Sequence, residues 1–423
     1  MAEAGTVTST TRPLWRDRNF ATYWSGQAVS QLGDRVSELA LPLTAVTVVG
    51  ATATQVGLLT AAIWLPNLLA LVLGSWVDRQ QRKRWVLVTA DLLRAVVVLT
   101  VPVAALLGAL ALPQLFVVAL LLGAGATLYQ SAWQPFFVTL VRRDQYVEAN
   151  SLLSTTRSVS FVAGPAVGGA LVQALTAPVA LAVDGVSFLL SAVLLRRVEV
   201  NERASATSAE RGSLGRRVGD GLRIVLHHPY LAPALRCVTW VNAFTFMVSA
   251  VVLVFASRTL GLSAGTIGLA LGVGAVGGVA GALAAAPVAR RIGTGPTIAV
   301  GAVLFTLPMA ALALAGGSRL SAALVLACVE AVSGFGVMLF DVNLNAVQAV
   351  VTPDAARGRV VGAFTTINYG IRPVGAVVGG LLADLVGVRP TLVIGGVGGA
   401  LAVLWLLRTP LVRVASIDDL VAG

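Results

Sequence analysis

The sequence has very few of the side chains on which most enzymes and metal sites depend. Of its 423 residues only two are histidine, His227 and His228, and only two are cysteine, Cys237 and Cys328. The histidines are adjacent and cannot share a helix face, and the cysteines lie in separate hydrophobic segments without metal-ligand spacing. We therefore expect no enzymatic activity, no metal site and no cofactor.

Lysine is almost absent as well. Lys83 is the only lysine, and Arg82 precedes it, so the chain has no Gly-Lys-Ser/Thr phosphate-binding loop. The sequence therefore argues against ATP hydrolysis by this chain.

Charged residues are scarce, at 12% of the chain, whereas 57% is hydrophobic and the mean hydropathy is +0.86. This composition is too apolar for a soluble globular protein and predicts a polytopic membrane protein in the lipid bilayer. The net charge of +11 would suggest nucleic acid only if the cations gathered on one exposed face. They lie in alternate loops instead, so we expect no nucleic-acid partner.

Long apolar segments recur twelve times, six before a polar central stretch and six after it. Each is long enough to cross a hydrocarbon core of about 30 Å as a helix. They fall at approximately 21–49, 55–77, 85–108, 113–139, 149–175, 177–196, 234–257, 264–288, 296–315, 319–350, 360–386 and 388–408. The sequence thus predicts an all-α membrane protein with 12 transmembrane helices.

This pattern divides the chain into five parts. They are a cytoplasmic N-terminal segment (1–20), a six-helix bundle (21–196), a cytoplasmic linker (197–233), a second six-helix bundle (234–408) and a cytoplasmic tail (409–423). In the linker one helical stripe is apolar, which predicts an amphipathic helix on the inner leaflet. The stripe consists of Leu214, Val218, Leu222, Val225 and Leu226.

The distribution of cations predicts the orientation of the spans. If the N-terminus is inside, the inside segments hold 23 of the 30 arginine and lysine residues, and the outside loops hold only Arg258, Arg319 and Arg389. Cationic loops stay on the cytoplasmic side of a membrane. We therefore expect both termini in the cytoplasm.

The two sets of six spans also look like copies of one another. An offset of 211 residues relates glycines and arginines of the first half to those of the second without a gap, as in Gly57 and Gly268, Arg79 and Arg290, and Gly164 and Gly375. Parallel repeats of six spans surround a substrate site at mid-membrane in known transporters. The sequence thus predicts two pseudo-symmetric bundles.

The first span concentrates Asp34, Arg35 and Glu38 near its centre, in the stretch QLGDRVSELALP. Arg35 and Glu38 are three residues apart and can pair, which leaves one acid over. A carboxylate at low dielectric beside an arginine suits reversible protonation, and the alternative is a fixed charge triad that locks helices together. We favour Asp34 as the proton site because Glu38 has the closer candidate partner.

Charged side chains in other spans mark a pathway or a paired contact, because a charge inside a bilayer is costly. On the tenth span Glu330 and Asp341 face the same way, and Asn345 extends their stripe by one turn. This predicts a cavity-facing surface or, for Glu330, a hydrated acid near the external rim. Arg157 and Arg372 are expected to bind an anionic substrate group or to be satisfied by carbonyls and spare carboxylates.

The loop after the second span reads GSWVDRQQRKR and joins a small residue to an acid and several cations. Its characteristic members are Gly74, Asp78, Arg79 and Arg82. On the next span Asp91 and Arg94 are three residues apart, and we expect them to pair with each other or to contact this loop. Asp184, on the sixth span, is expected to be structural.

This loop resembles the one between the second and third helices of major facilitator transporters. The stretch SVSFVAGPAVGG is similar to the antiporter motif of that superfamily, and SQLGDRVSELALPL, DGVSFLLSA and GDGLRIVLHHPYL look like its branch of enterobactin, macrolide and multidrug exporters. The resemblance implies a cytoplasmic latch at the loop residues named above, with Asp91 and Arg94 beside it. It also implies an antiporter helix bend at Gly164, Pro165, Gly168 and Gly169.

The resemblance implies proton-driven export of an amphipathic small molecule by alternating access, in a monomer of the bacterial inner (plasma) membrane. Many drug antiporters of the superfamily carry an arginine in span four, but residues 113–139 contain no charge, which leaves Arg94 or Arg157 as substitutes. An importer or a lysophospholipid flippase on the same scaffold is the alternative within transport. A non-transporting membrane sensor is the alternative from another class.

Overall fold

A computed structural model describes residues 13–200, 202 and 214–420, and within that part of the chain it contains helices and connecting segments without any strand. The α-helices are α1 (Arg18–Thr47), α2 (Ala53–Trp64), α3 (Ala70–Arg79), α4 (Lys83–Leu106), α5 (Leu112–Leu140), α6 (Tyr146–Leu175), α7 (Ala177–Arg197), α8 (Leu214–His227), α9 (Leu231–Val254), α10 (Ala264–Ile292), α11 (Thr294–Thr306), α12 (Pro308–Ala311), α13 (Arg319–Val351), α14 (Arg357–Val386) and α15 (Val388–Ala400). The all-helical prediction is confirmed.

Ten of the described helical segments are long and apolar enough to cross a membrane, and the bent pair of α2 and α3 brings the number to eleven. These eleven coincide with the second to twelfth apolar segments of the sequence. The remaining predicted span is α1, a helix of 30 residues. It lacks a sufficiently apolar stretch because Asp34, Arg35 and Glu38 interrupt its middle.

The second predicted span is bent, not the straight crossing that its uninterrupted apolar sequence suggests. A 3₁₀ stretch, Leu65–Leu69, follows α2, and the segments Ala53–Leu69 and Val72–Arg79 meet at 52°. Pro66 lies in this stretch, and proline both removes a backbone donor and crowds the preceding turn. The second predicted span, 55–77, is therefore a bent pair of helical segments.

The contacts between helices repeat with the same offset of 211 residues that relates the two halves of the sequence. A Cβ placed on Gly168 would lie 3.2 Å from Cα of Val36 on α1, and the matching Gly379 abuts the matching residue Met247 on α9. Gly169 similarly meets Gly268 of α10, and Gly380 meets the first turn of α2. Glycine at these positions allows the helices to approach closely.

The two halves meet through α2 with α14 and through α6 with α10. Short connections reverse the chain between successive spans, so Arg79, Arg142, Arg290 and Arg357 lie at one face of the bundle, which we call the basic face. The other end, with residues 48–52, 176, 260–263 and 387, is the opposite face. Tight contacts between halves occur towards the opposite face, whereas α3, at the basic face, packs on α5.

Helix α8, the predicted amphipathic helix of the linker, contacts α14 and α9. Gly221 abuts the backbone carbonyl of Arg359 on α14, and Val225 is fully buried among residues of the second half. Leu226 is exposed. The side chains of residues 214–218, which include the predicted Leu214 and Val218, lie outside the described part of the chain. Over its described residues, the linker helix packs on the second bundle.

Candidate functional site

Four charged side chains from three helices of the first half form a cluster in the middle of that bundle. Asp34 comes from α1, Asp91 and Arg94 from α4, and Asp184 from α7, and α7 packs against both α1 and α4. The Arg94 guanidinium forms an ion pair with Asp34, and its Nη1 lies 3.7 Å from a carboxylate oxygen of Asp91. We call these four residues the acid cluster.

Asp184 is held in the acid cluster by hydroxyl groups. Ser37 on α1 donates a hydrogen bond to one of its carboxylate oxygens, and Ser187 donates to the other at 3.1 Å. Gly33 allows this arrangement, because a Cβ at that position would lie 2.9 Å from Cβ of Ser187. The contact between α1 and α7 therefore depends on a residue without a side chain.

The acid cluster contains three carboxyl groups and one guanidinium group. Arg94 stacks on the ring of Phe188 at 3.9 Å, so one of its faces is shielded from water. Asp91 is fully buried, and neither of its carboxylate oxygens has a hydrogen-bond donor among the described residues. Because acids outnumber bases by two, the cluster can take up a proton while the guanidinium keeps an ionised partner.

The structure confirms one expectation about these residues and corrects another. Asp91 and Arg94 pair with each other at 3.7 Å, which is one of the two expected arrangements, and no ion pair joins them to the described residues of the GSWVDRQQRKR loop. Arg35 and Glu38 do pair, at 2.8 Å, but Asp34 also has a close guanidinium partner. The argument that Asp34 is the acid without a partner is therefore wrong.

The partners of Asp34 could not be found by local spacing. Arg94 is 60 positions away and Asp184 is 150 positions away, and both reach Asp34 only through helix packing. One local signal did mark Asp184, since Ser187 and Ser191 recur at helical spacing after it and give α7 a polar face.

Arg372 lies between the two halves, surrounded by aromatic rings. Its guanidinium carbon is 4.3 Å from the ring centre of Trp64 on α2, 4.9 Å from Phe246 on α9 and 4.5 Å from Tyr369 on α14. Its Nε donates a hydrogen bond to Asn242 at 3.2 Å. We call Trp64, Phe246 and Tyr369 the aromatic box.

The remaining predicted site residues do not join the acid cluster. Glu330 packs against Gly274 of α10, Asp341 interacts electrostatically with Arg372, and Asn345 is exposed one turn further along α13. Arg157 is exposed on α6. Neither acid has a hydrogen bond or ion pair with any described residue. The structure thus separates the candidates into a group on the first half and a group on the second.

Two side chains close the opposite face by capping helices of the other half. The Asp384 carboxylate on α14 accepts hydrogen bonds from the backbone nitrogens of Ala53 and Thr54 at the start of α2, at 3.2 and 2.9 Å. Gln173 on α6 accepts from the backbone nitrogen of Gly265 at the start of α10, at 2.9 Å. The offset of 211 relates Gln173 to Asp384 and Thr54 to Gly265, so the two caps are symmetry equivalents.

The predicted latch at the basic face makes no such contact. Asp78, Arg79 and Arg82 are exposed, and none has an ion pair within the part of the chain that the structure describes. A Cβ placed on Gly74 would meet no atom within 4 Å, and the same holds for Gly358 on α14. Over the residues that the structure describes, the halves are therefore apart at the basic face and together at the opposite face.

The glycines of the predicted antiporter motif lie at the contacts of α6. Gly164 abuts the Arg35 side chain on α1, and Gly168 abuts the backbone of Val36. Gly169 and the carbonyl of Pro165 face Gly268 of α10. This segment therefore contacts both the charged span α1 and the other half of the molecule.

Comparisons with known proteins agree on the family. The model of the family described as Major Facilitator Superfamily matches residues 23–372 and 235–418. The chain is 29% identical to the multidrug efflux pump Tap of Mycolicibacterium fortuitum, over 80% of this chain and 83% of that protein. It is 28% identical to the multidrug efflux pump Tap of Mycobacterium tuberculosis (strain ATCC 25618 / H37Rv), over 85% of each.

Solved structures share the fold at low sequence identity. The nucleoside transporter NupG aligns with a TM-score of 0.74 at 12% identity, over 92% of this chain and 99% of that one. A bacterial homologue of the iron transporter ferroportin, in an inward-facing state, aligns with a TM-score of 0.69 at 18% identity, over 92% and 99%. At such identities the likeness concerns the fold alone.

Proposed function

Because the chain belongs to the Major Facilitator Superfamily, and is thus a membrane transporter by family, we propose that it exports amphipathic small molecules in exchange for protons. The substrate would enter the gap between the halves from the basic face, and rocking of the halves would release it at the opposite face. Two relatives named as multidrug efflux pumps, each aligned over most of its length, support export over import.

The observation that carries proton coupling is the Asp34–Arg94 ion pair within the acid cluster. Asp34 is about one-third exposed, whereas Arg94 is almost fully buried, so a proton reaches the pair from the Asp34 side. Protonation of Asp34 would release Arg94 to Asp91 and Asp184. The contacts of α1 with α4 and α7 would change as a result, which couples the proton to helix packing.

We propose the same finer organisation as the sequence suggests. Helix α1 and the bent pair of α2 and α3 would complete 12 spans, and the basic face would lie in the cytoplasm with both termini. Residues 21–196 and 234–408 would form the two moving bundles, joined by the linker 197–233. The protein would act as a monomer in a bacterial inner membrane.

Proton coupling is testable in proteoliposomes with an internal pH dye and a panel of cationic and neutral drugs. We expect substrate-dependent proton flux in the parent protein and a loss of at least about tenfold in Asp34→Asn, which cannot exchange a proton. Glu38→Gln, one turn further along α1 and with a largely exposed side chain, is the matched control and should retain flux. Unchanged flux in Asp34→Asn would reject Asp34 as the proton carrier.

The same assay separates the alternatives. An importer would accumulate substrate against the expected direction, and a flippase would move a fluorescent lysophospholipid between leaflets without the drug panel. Binding of substrate with no flux in either direction would indicate a membrane sensor.

A further inference from the structure

The Arg372 guanidinium occupies a site built from both halves of the protein. Trp64 belongs to the first half and ends α2 at the bend of the second span, whereas Phe246 and Tyr369 belong to the second half. The rings also contact one another. The ring centre of Trp64 lies 5.3 Å from that of Phe246, in an edge-to-face arrangement, and 5.8 Å from that of Tyr369. The aromatic box is therefore a preformed arrangement of three rings around one cation.

Arg372 has an alternative partner that it does not use here. Among the described residues no carboxylate lies within 4.0 Å of its guanidinium, and its hydrogen-bond partner, Asn242, is neutral. The charge of Asp341 on α13 acts on Arg372, yet Asp341 has no hydrogen bond or ion pair with any described residue. Because the planar guanidinium matches two carboxylate oxygens, Asp341 is the acid that a displaced Arg372 side chain would pair with.

We propose that the aromatic box is a binding site for the ammonium group of an organic cation, and that Arg372 occupies it until such a ligand displaces the guanidinium towards Asp341. The proposal rests on the proposed transport function for its biological role, because the box lies between the halves on the path that a substrate would take. The binding step itself requires no transport.

Ring electrostatics favour a cation over an anion at this position. The faces of aromatic rings are electronegative and attract ammonium groups, and boxes of several rings recognise quaternary ammonium in other proteins. An anion approaching Arg372 would face these rings and the unpaired carboxylate of Asp341. After the exchange, the ammonium group of the ligand lies among the rings and the Arg372 guanidinium pairs with the Asp341 carboxylate. Each charged group then has a partner.

The box also links ligand binding to the arrangement of the two halves. Its three rings close around a cation only while Trp64 stays beside Phe246 and Tyr369. Since α2 and α14 form one of the two most extensive contacts between the halves, a rocking motion would separate the rings. The site would therefore hold a cation in the arrangement seen here and release it when that contact opens.

The test measures equilibrium binding to the purified full-length protein in lipid nanodiscs. The probe is tritiated benzyltrimethylammonium, with its neutral isostere neopentylbenzene and the anion phenylacetate as competitors. We expect the cation to bind, and we expect the isostere to compete at least about tenfold more weakly than the unlabelled cation does. Trp64→Leu and Tyr369→Leu should each weaken cation binding by about three- to tenfold, because each removes one wall.

The decisive variant is Arg372→Gln, which vacates the box. It should tighten cation binding by about tenfold, whereas Arg372→Lys, which keeps a resident cation, should leave affinity within about threefold of the parent. In a Trp64→Leu background the gain from Arg372→Gln should disappear, because a double-mutant cycle reports direct coupling between the two residues. Thermal unfolding of each variant verifies folding, and Tyr369→Leu replaces Trp64→Leu in the cycle if the latter fails to fold.

Three results would overturn the proposal. The first is a gain from Arg372→Gln that persists in full without Trp64, which would indicate only a long-range charge effect. The second is phenylacetate competing better than the isostere and losing binding in Arg372→Gln, which would make Arg372 an anion site. The third is an absence of cation binding. A different result would refute the proposed function but not the binding site. In that case the cation would still bind in a manner that depends on the aromatic box, but the protein would not transport in proteoliposomes.

Discussion

Arg94 is the residue on which the charge balance of the first half depends. It is almost fully buried, stacks on Phe188, pairs with Asp34 and lies near Asp91, and no other guanidinium or amine takes part in the acid cluster within the described residues. Arg35, 59 positions earlier, offers a contrast because its partner Glu38 is largely exposed. The two guanidinium groups therefore lie in different surroundings, since Arg94 is almost fully buried and Arg35 is paired with an exposed acid.

At the residue scale we predict that Arg94→Ala is far more destabilising than Arg35→Ala. Removing one partner of a buried pair costs about 3–5 kcal/mol, whereas an exposed pair contributes about 0–1 kcal/mol. The measurement is the unfolding temperature of each variant in the same detergent, with Phe188→Leu as a control for the loss of ring stacking. Equal destabilisation by the two arginine variants would contradict the burial argument.

Local sequence spacing predicts some of the contacts between charged side chains and not others. Arg35 and Glu38 pair as their spacing predicted, because neighbours three positions apart on one helix meet regardless of the rest of the fold. The pairing of Asp34 with Arg94 and the box around Arg372 depend on which helices are adjacent and how they are rotated. Local spacing does not contain that information.

At the scale of elements, the helices follow the apolar segments closely because burial in lipid leaves the chain few alternatives to a helix. The bounds of α4, α5, α6 and α7 lie within three residues of the predicted segments. The bend between α2 and α3 was missed because a single proline in an apolar run is compatible with either a continuous or a broken helix. The glycines that repeat in α6 and α14 lie at close contacts between helices.

The two helix caps at the opposite face give a prediction at this scale. Asp384→Ala and Gln173→Ala should each shift the protein towards a state open at the opposite face, since losing a helix cap costs about 0.5–2 kcal/mol. Asp384→Asn keeps an acceptor oxygen and should have a smaller effect. Electron–electron distances between spin labels at Val48 and Val386, both exposed, report the opening after the two native cysteines are replaced.

The two caps lie on different contacts between the halves, so their effects should add within a few tenths of a kcal/mol in the double variant. A label distance that stays unchanged in both single variants would show that the glycine contacts alone hold the opposite face together.

At the scale of the whole molecule, the structure is a pair of bundles joined at one end. The contacts at two glycines show which end is joined. A Cβ at Gly169 would lie 2.8 Å from Cα of Gly268, whereas a Cβ at Gly74 would meet no atom within 4 Å. A transporter that alternates must also form an arrangement in which the basic face is closed. If the protein alternates as proposed, the space at Gly74 would close in its other state.

We predict that Gly74→Leu leaves the unfolding temperature unchanged but reduces transport. Overpacking a closed interface costs about 1–3 kcal/mol, which corresponds to roughly a 5- to 150-fold loss in the population of the closed basic face. Gly169→Leu is the matched variant and should destabilise the arrangement seen here. The measurements are thermal unfolding and labelling of single cysteines from either side of the membrane, and equal destabilisation by the two leucines would contradict the prediction.

The paired caps and glycine contacts have a consequence for how the chain is assembled. Each half supplies one capping side chain and one helix start that receives a cap, so a half carries both members of a reciprocal joint. A polypeptide of half the length would present the same two surfaces to a second copy of itself, with a twofold axis in place of the linker. The two caps themselves involve no residue of the linker.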